Sequence, residues 1–104
     1  MSTETYATCI DNVYADGKMV PAVVTEYGEL GWSDMWSTLM VFAEKYPGVM
    51  QHVESIGYLI TRPAVFLMHV QTNPIFWEDH GSGWDEFLKD LREHRGGAWW
   101  LGAR

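Results

Sequence analysis

Ala64-Val65-Phe66-Leu67-Met68-His69-Val70 is the stretch on which the fold turns. It is almost continuously apolar, preceded by Arg62-Pro63 and followed by Thr72-Asn73-Pro74. A short unbroken apolar run between turn residues predicts a central strand buried on both faces. Arg62-Pro63 then reads as the turn before that strand and Thr72-Asn73-Pro74 as its break.

Immediately upstream, residues 49–57 support two readings. Met50, Val53 and Ile56 have the spacing of a short helix, whereas Ile56, Tyr58 and Ile60 alternate as in a strand. Extended structure from about residue 55 is the expectation. Further upstream, residues 6–14 and 19–27 are rich in β-formers and flank Asp16-Gly17, the signature of a β-hairpin. Pro21 has no amide hydrogen, so the second strand is predicted to be an edge strand or broken there. Residues 28–31 form a loop. Ser33 is a candidate N-cap with Asp34 in the first turn. Met35, Trp36, Leu39, Met40, Phe42 and Ala43 then make an apolar stripe at helical spacing, and Pro47-Gly48 stops the helix.

Downstream, Ile75-Phe76-Trp77 runs into the acidic, glycine-containing loop Glu78-Asp79-His80-Gly81-Ser82-Gly83. Ser82-x-x-Asp85 resembles a capping box with Asp in place of Glu or Gln. Trp84, Phe87, Leu88 and Leu91 form a narrow stripe, Asp85 and Lys89 an i,i+4 pair, and Gly96-Gly97 an end signal. Ala98-Trp99-Trp100-Leu101 is long enough for a last short strand, with an apolar edge open to self-association.

The predicted order is β-β-α-β-β-α-β. That is an α+β fold in one domain, residues 1–104, with two helices on one face of a mainly antiparallel sheet. Gly31-Trp32 and Gly83-Trp84 lie 52 positions apart in 104 residues and each opens a helical stretch. Tyr6/Tyr58, Val13/Val65, Glu26/Glu78 and Leu39/Leu91 coincide at the same offset, so a ββα duplication is a candidate.

The bulk numbers narrow the function. The chain is 47% hydrophobic and 20% charged, which is globular rather than disordered. The longest nearly uncharged run, residues 64–77, is shorter than the ~20 residues of a membrane span. A short polar start containing Glu4 predicts a cytoplasmic, unprocessed protein that does not engage a membrane. Cys9 is the single cysteine, which fits a reducing compartment. The net charge is -7, and residues 1–44 carry seven acids against Lys18. An acidic half repels phosphate, so direct nucleic-acid binding is not expected.

Candidate chemistry is sparse. His52, His69, His80 and His94 lack the spacing that turns two imidazoles toward one metal, and no cofactor is implied. His69 reads as a core or edge histidine, and Cys9 as a small buried hydrophobe. Ser82 lacks the glycine pattern of a nucleophile elbow. Glu78-Asp79-His80 offers a carboxylate beside an imidazole, the material of metal binding or of a general base, and otherwise reads as an exposed acidic tip.

Aromatics next to acids remain. Six tryptophans are many for a core of this size to hide, and exposed ones serve as binding anchors. The expectation is a non-enzymatic binding protein that blocks a basic surface of a partner protein or nucleoprotein complex. That has the general character of immunity proteins and of phage-encoded inhibitors of host nucleic-acid-handling complexes. Its candidate contact residues are Asp11, Asp16, Glu26, Glu29, Asp34, Trp77, Glu78, Asp79 and Trp84. The alternative is a small-molecule module with a tryptophan-lined pocket, which a homodimer would complete.

Overall fold

A computed structural model of the chain describes residues 3–54, 57–93 and 97–104. The elements run β1 (Thr5–Ala15), β2 (Lys18–Glu26), α1 (Ser33–Lys45), β3 (Met50–Val53), β4 (Gly57–Ile60), α2 (Pro63–Thr72), α3 (Trp84–Glu93) and β5 (Ala98–Ala103). The class is α+β, with an antiparallel five-stranded sheet in the order β2-β1-β5-β4-β3.

The first hairpin follows its sequence closely. Ala15 pairs with Lys18 across Asp16-Gly17, and both turn residues have positive φ, 50° and 79°. That is the turn whose twist matches the strands it joins. β2 is an edge strand, as Pro21 requires. Beyond Ile10 the hairpin leaves β5 behind and continues as a two-stranded arm.

Residues 64–70 are the principal correction. They form most of α2, not a strand, so the order is β-β-α-β-β-α-α-β. Pro63 stands in the first turn, where its fixed φ and missing amide hydrogen cost the helix nothing. Phe66 and Leu67 are buried, while Val65 and Met68 on the same run are exposed. A strand buried on both faces would have had to hide all four. Asn73 closes the helix by donating its amide to the His69 carbonyl, and Pro74 follows.

Three further expectations change. Trp99-Trp100 lies on β5, the middle strand of the sheet rather than its edge. Trp32, not Ser33, is the N-cap of α1. The Ser82 hydroxyl donates to Glu29 Oε2 at 3.3 Å. The ambiguous segment 49–57 resolves into β3 and the start of β4, whereas Ile56, His94 and Gly96 lie outside the described residues. The duplication does not extend to the strands. Shifted by 52 positions, β1 falls on residues 57–67, which hold β4 and the start of α2, although α1 does fall on α3.

The helices cover the sheet face carrying Ala7, Cys9, Met50, Tyr58, Ile60, Trp99 and Leu101. Phe66 of α2 is the hub beneath them. Its ring meets Phe42 at 5.5 Å, Trp77 at 5.3 Å, Trp84 at 6.4 Å and Phe87 at 6.2 Å. Such edge and tilted contacts add to the area term of aromatic burial. Two indoles find partners inside: Trp77 Nε1 donates to His69 Nδ1 at 2.9 Å, and Trp99 Nε1 to the Tyr27 hydroxyl at 3.3 Å. Tyr27 in turn donates to Asp90 Oδ2 at 2.8 Å, tying the end of β2 to α3 and β5. Burial first, and then the neighbouring Asp90, push the Tyr27 phenol far up, so it remains a donor.

Candidate functional site

Both helices that follow a Gly-Trp pair begin at one end of the molecule. After β2 the chain stays beside β1: Tyr27 donates its amide to the Ala7 carbonyl and Leu30 to that of Thr5. Thr5 returns an amide bond to the Gly31 carbonyl, and its buried hydroxyl donates to the Trp32 carbonyl at 3.1 Å. On the other side of residues 28–31 lie residues 79–83. Gly81 donates to the Leu30 carbonyl at 2.7 Å and Gly83 to the Glu29 carbonyl at 2.8 Å. Two loops some fifty residues apart in sequence are therefore joined backbone to backbone.

The junction depends on glycine. A Cβ on Gly83 would collide with the backbone of Gly28, and one on Gly81 with that of Glu29. Neither approach is open to a larger residue. These contacts join the loop of Glu29, whose side chain lies against Gly81 and Ser82, to the loop that carries Glu78 and Asp79. Asp34 follows in the first turn of α1, whereas Glu26, at the end of β2, pairs with Thr8 on the sheet face away from the helices. Among the described residues, none of these five carboxylates is ion-paired; the pair present is Arg104 with Glu4 at 3.7 Å.

The other two predicted acids are elsewhere. Asp16 sits at the tip of the hairpin arm and Asp11 partway along it, so β1 carries both away from the corner. Eleven residues of strand put the tip roughly 35 Å from Thr5.

Trp77 and Trp84 do not serve as exposed anchors. They are 2% and 3% exposed, stacked on one another at 5.7 Å and 23°. The cause is the hub beneath them, which their rings complete. The exposed indole is Trp32, at 49%, between Gly31 and the acids of the corner. The Gly31-Trp32 dipeptide marked the position in the sequence, but nothing in it told which tryptophan would face out. Ile75 and Phe76 are also exposed, so the apolar patch before the acidic loop reaches solvent through them rather than through Trp77.

Of the candidate chemical groups, His80 lies over Trp84 at 5.6 Å and 14°. The two line a cavity of about 260 Å³ with Val70, Pro74, Trp77 and Glu78. His69 already accepts the Trp77 N–H, and burial, helped by Lys45, holds it below the ordinary imidazole range. Burial pushes the Cys9 thiol up, against a backbone hydrogen bond from Gly97 that works the other way. A buried, protonated thiol is a poor nucleophile. Among the described residues no three His, Cys, Asp or Glu side chains are grouped as a metal site, and no helix is long and apolar enough to cross a membrane. No protein-family model, curated protein or solved structure matches this chain.

Proposed function

We propose that the chain is a small non-enzymatic binding protein that sets its carboxylate corner against a basic surface of a partner and blocks it. The reading rests on one observation: a glycine-built junction joins the loop of Glu29, which leads into Asp34, to the loop of Glu78 and Asp79, and these carboxylates have no ion-pair partners among the described residues. Unpaired carboxylates steer a basic surface into contact. The exposed Trp32 beside them supplies the desolvated anchor that turns an encounter into a complex. A partner whose basic surface normally takes nucleic acid fits best, because the carboxylates would stand where phosphates do. The role is that of a cytoplasmic inhibitor.

A specific comparison tests this. Glu29→Gln/Glu78→Gln/Asp79→Asn and a control, Asp16→Asn/Glu44→Gln/Glu54→Gln, remove the same net charge. Each is used beside the wild type to capture proteins from a lysate at about 50 mM salt, eluting toward ~500 mM. A basic protein held by wild type and control, released by salt and lost with the corner variant supports the proposal. Equal retention by all three, or no captured protein, would sink it.

One observation favours the small-molecule alternative. A flat ring displacing His80 could stack on Trp84 in the 260 Å³ cavity, though this is below the ~300–1,000 Å³ of most ligand sites. Quenching of tryptophan fluorescence by planar metabolites, abolished in Glu78→Ala/His80→Ala, would mark that function.

A further inference from the structure

The helices cover one face of the sheet and leave the other open. Register assigns that face without ambiguity. Tyr6, Thr8 and Ile10 of β1 stand opposite Gly102, Trp100 and Ala98 of β5, and Trp100 opposite Leu59 of β4. On the outer side Ile10 faces Val23, and the arm continues with Tyr14 opposite Met19. Val23, Tyr14 and Met19 are 54%, 74% and 60% exposed. Among the described residues, the charges near this face stand at its rim: Glu26, opposite Thr8 on the edge strand β2, and the Arg104–Glu4 pair, whose guanidinium lies over the Tyr6 ring at 4.5 Å.

We infer that this face is covered by the same face of a second copy of the chain, in a two-fold dimer of stacked sheets. Three properties of the chain select that occupant. The first is charge. Each copy carries -7, so two copies repel where their carboxylates meet and associate best through a face whose carboxylates are confined to the rim. A basic partner, by contrast, gains nothing from an uncharged face and is drawn to the acidic corner.

The second is area. Strands ~4.8 Å apart at ~3.4 Å per residue, six residues deep across β2, β1 and β5 and four across β4 and β3, make a footprint of roughly 420 Å². With the arm added, two copies bury on the order of 1,200 Å², the lower end of what stable interfaces need.

The third is geometry. Pro21 obstructs the β2 edge and β3 is only four residues long, so edge-to-edge pairing is discouraged while face-to-face packing is not. A twisted sheet packs on its own copy at ~10 Å with its strands within about 30°.

This surface is separate from the acidic corner, and salt distinguishes the two. Screening strengthens association between two copies of charge -7, whereas it weakens a complex held by carboxylates on a basic partner.

The test is sedimentation velocity on the full chain from about 1 μM to about 1 mM, at ~50 and ~500 mM salt. The expected result is a monomer–dimer equilibrium that tightens with salt. Val23→Lys puts a charge on an exposed position of the face without disturbing the core, and should weaken self-association at least about tenfold. Thr8→Lys repeats the insertion near the centre, in case one position tolerates it. Ile75→Lys, on an exposed apolar residue of another surface, should leave the dimer unchanged, and circular dichroism checks that each variant is folded. A monomer at every concentration overturns the inference. So does a dimer that persists in both Val23→Lys and Thr8→Lys, or one that Ile75→Lys disrupts.

Discussion

Gly31-Trp32 and Gly83-Trp84 are the same dipeptide, touch the same junction and open helices of similar design, yet one tryptophan is 49% exposed and the other 3%. The downstream spacing does not distinguish them. Trp32, Met35 and Leu39 repeat at i, i+3, i+7, as do Trp84, Phe87 and Leu91. The difference is one residue of helix start. In α3 the Gly83 carbonyl already accepts from the Phe87 amide, so Trp84 is helical and lies on the buried stripe. In α1 the Trp32 carbonyl accepts from the Trp36 amide, so Trp32 is the cap. Its extended backbone, φ -114° and ψ -154°, swings the ring off the stripe that its spacing would give it. Gly83 presses on Gly28 and draws its tryptophan inward. The equivalent space beside Gly31 is taken by Met35, whose Cβ is 2.5 Å from where a Gly31 Cβ would stand.

Truncating the inner indole breaks the comparison most severely. Trp84→Ala removes a ring stacked on Trp77 and His80 and touching Phe66 and Phe87. Loss of a buried aromatic of this size should cost about 3–5 kcal/mol, read from urea unfolding. A cost below about 1 kcal/mol would mean that the stack is not formed.

The glycines come next. Gly83→Ala drives a methyl group into the Gly28 backbone, which cannot rotate away, and should cost about 3 kcal/mol. Gly31→Ala brings its methyl group to 2.5 Å from the Met35 Cβ, which no rotamer change moves, and to 3.0 Å from the Asp79 carbonyl oxygen, so a loss of the same order is expected in the same titration. A loss well below about 1 kcal/mol at either glycine would show that the backbone there gives way.

A smaller effect comes from the support beneath Trp84. Trp77 is held by neutral His69, whose imidazole burial and Lys45 keep below its ordinary value of 6.5. The unfolded chain takes up the proton first as pH falls, so stability is full above about 6.5 and declines from there through the lowered value. Unfolding free energies from about pH 7.5 to about pH 5 should show that decline, and His69→Asn should flatten this part of it. An unchanged slope in the variant would remove His69 from the account.

How much of this the sequence carried depends on the range of the signal. The Asp16-Gly17 turn, the edge position of β2 and the stripes of α1 and α3 are local, and local residues decide them. The apolar run 64–70 was open to either structure, because a strand and a helix buried on two sides look alike at that length. Pro63, which suits a first helical turn, is the residue that discriminates between them. That β5 is central could not be read, since strand order is set by pairing partners far away in the chain. The acidic corner lies between these extremes. Glu29, Glu78 and Asp79 are visible as acids beside aromatics, but the joining of their two loops depends on the contact between residues 28–31 and 79–83. Asp11 and Asp16 looked equally suitable and were carried off along the arm.

The outer tryptophan is where stability and binding should part company. Trp32 holds its place in the fold through its backbone: the carbonyl accepts from Trp36 and from the Thr5 hydroxyl, and neither bond involves the indole. Trp32→Ala should therefore leave unfolding within about 0.5 kcal/mol of wild type. Residues on a corner that docks on a partner face the opposite demand, because a desolvated tryptophan at the centre of an interface is worth about 2 kcal/mol, some thirtyfold in affinity. Titrating the variant against whatever basic protein the corner retains separates the two contributions. A loss of affinity at unchanged stability gives the exposed indole a function. Unchanged affinity would leave the carboxylates alone to hold the partner, and the two Gly-Trp corners would then differ only in where their helices begin.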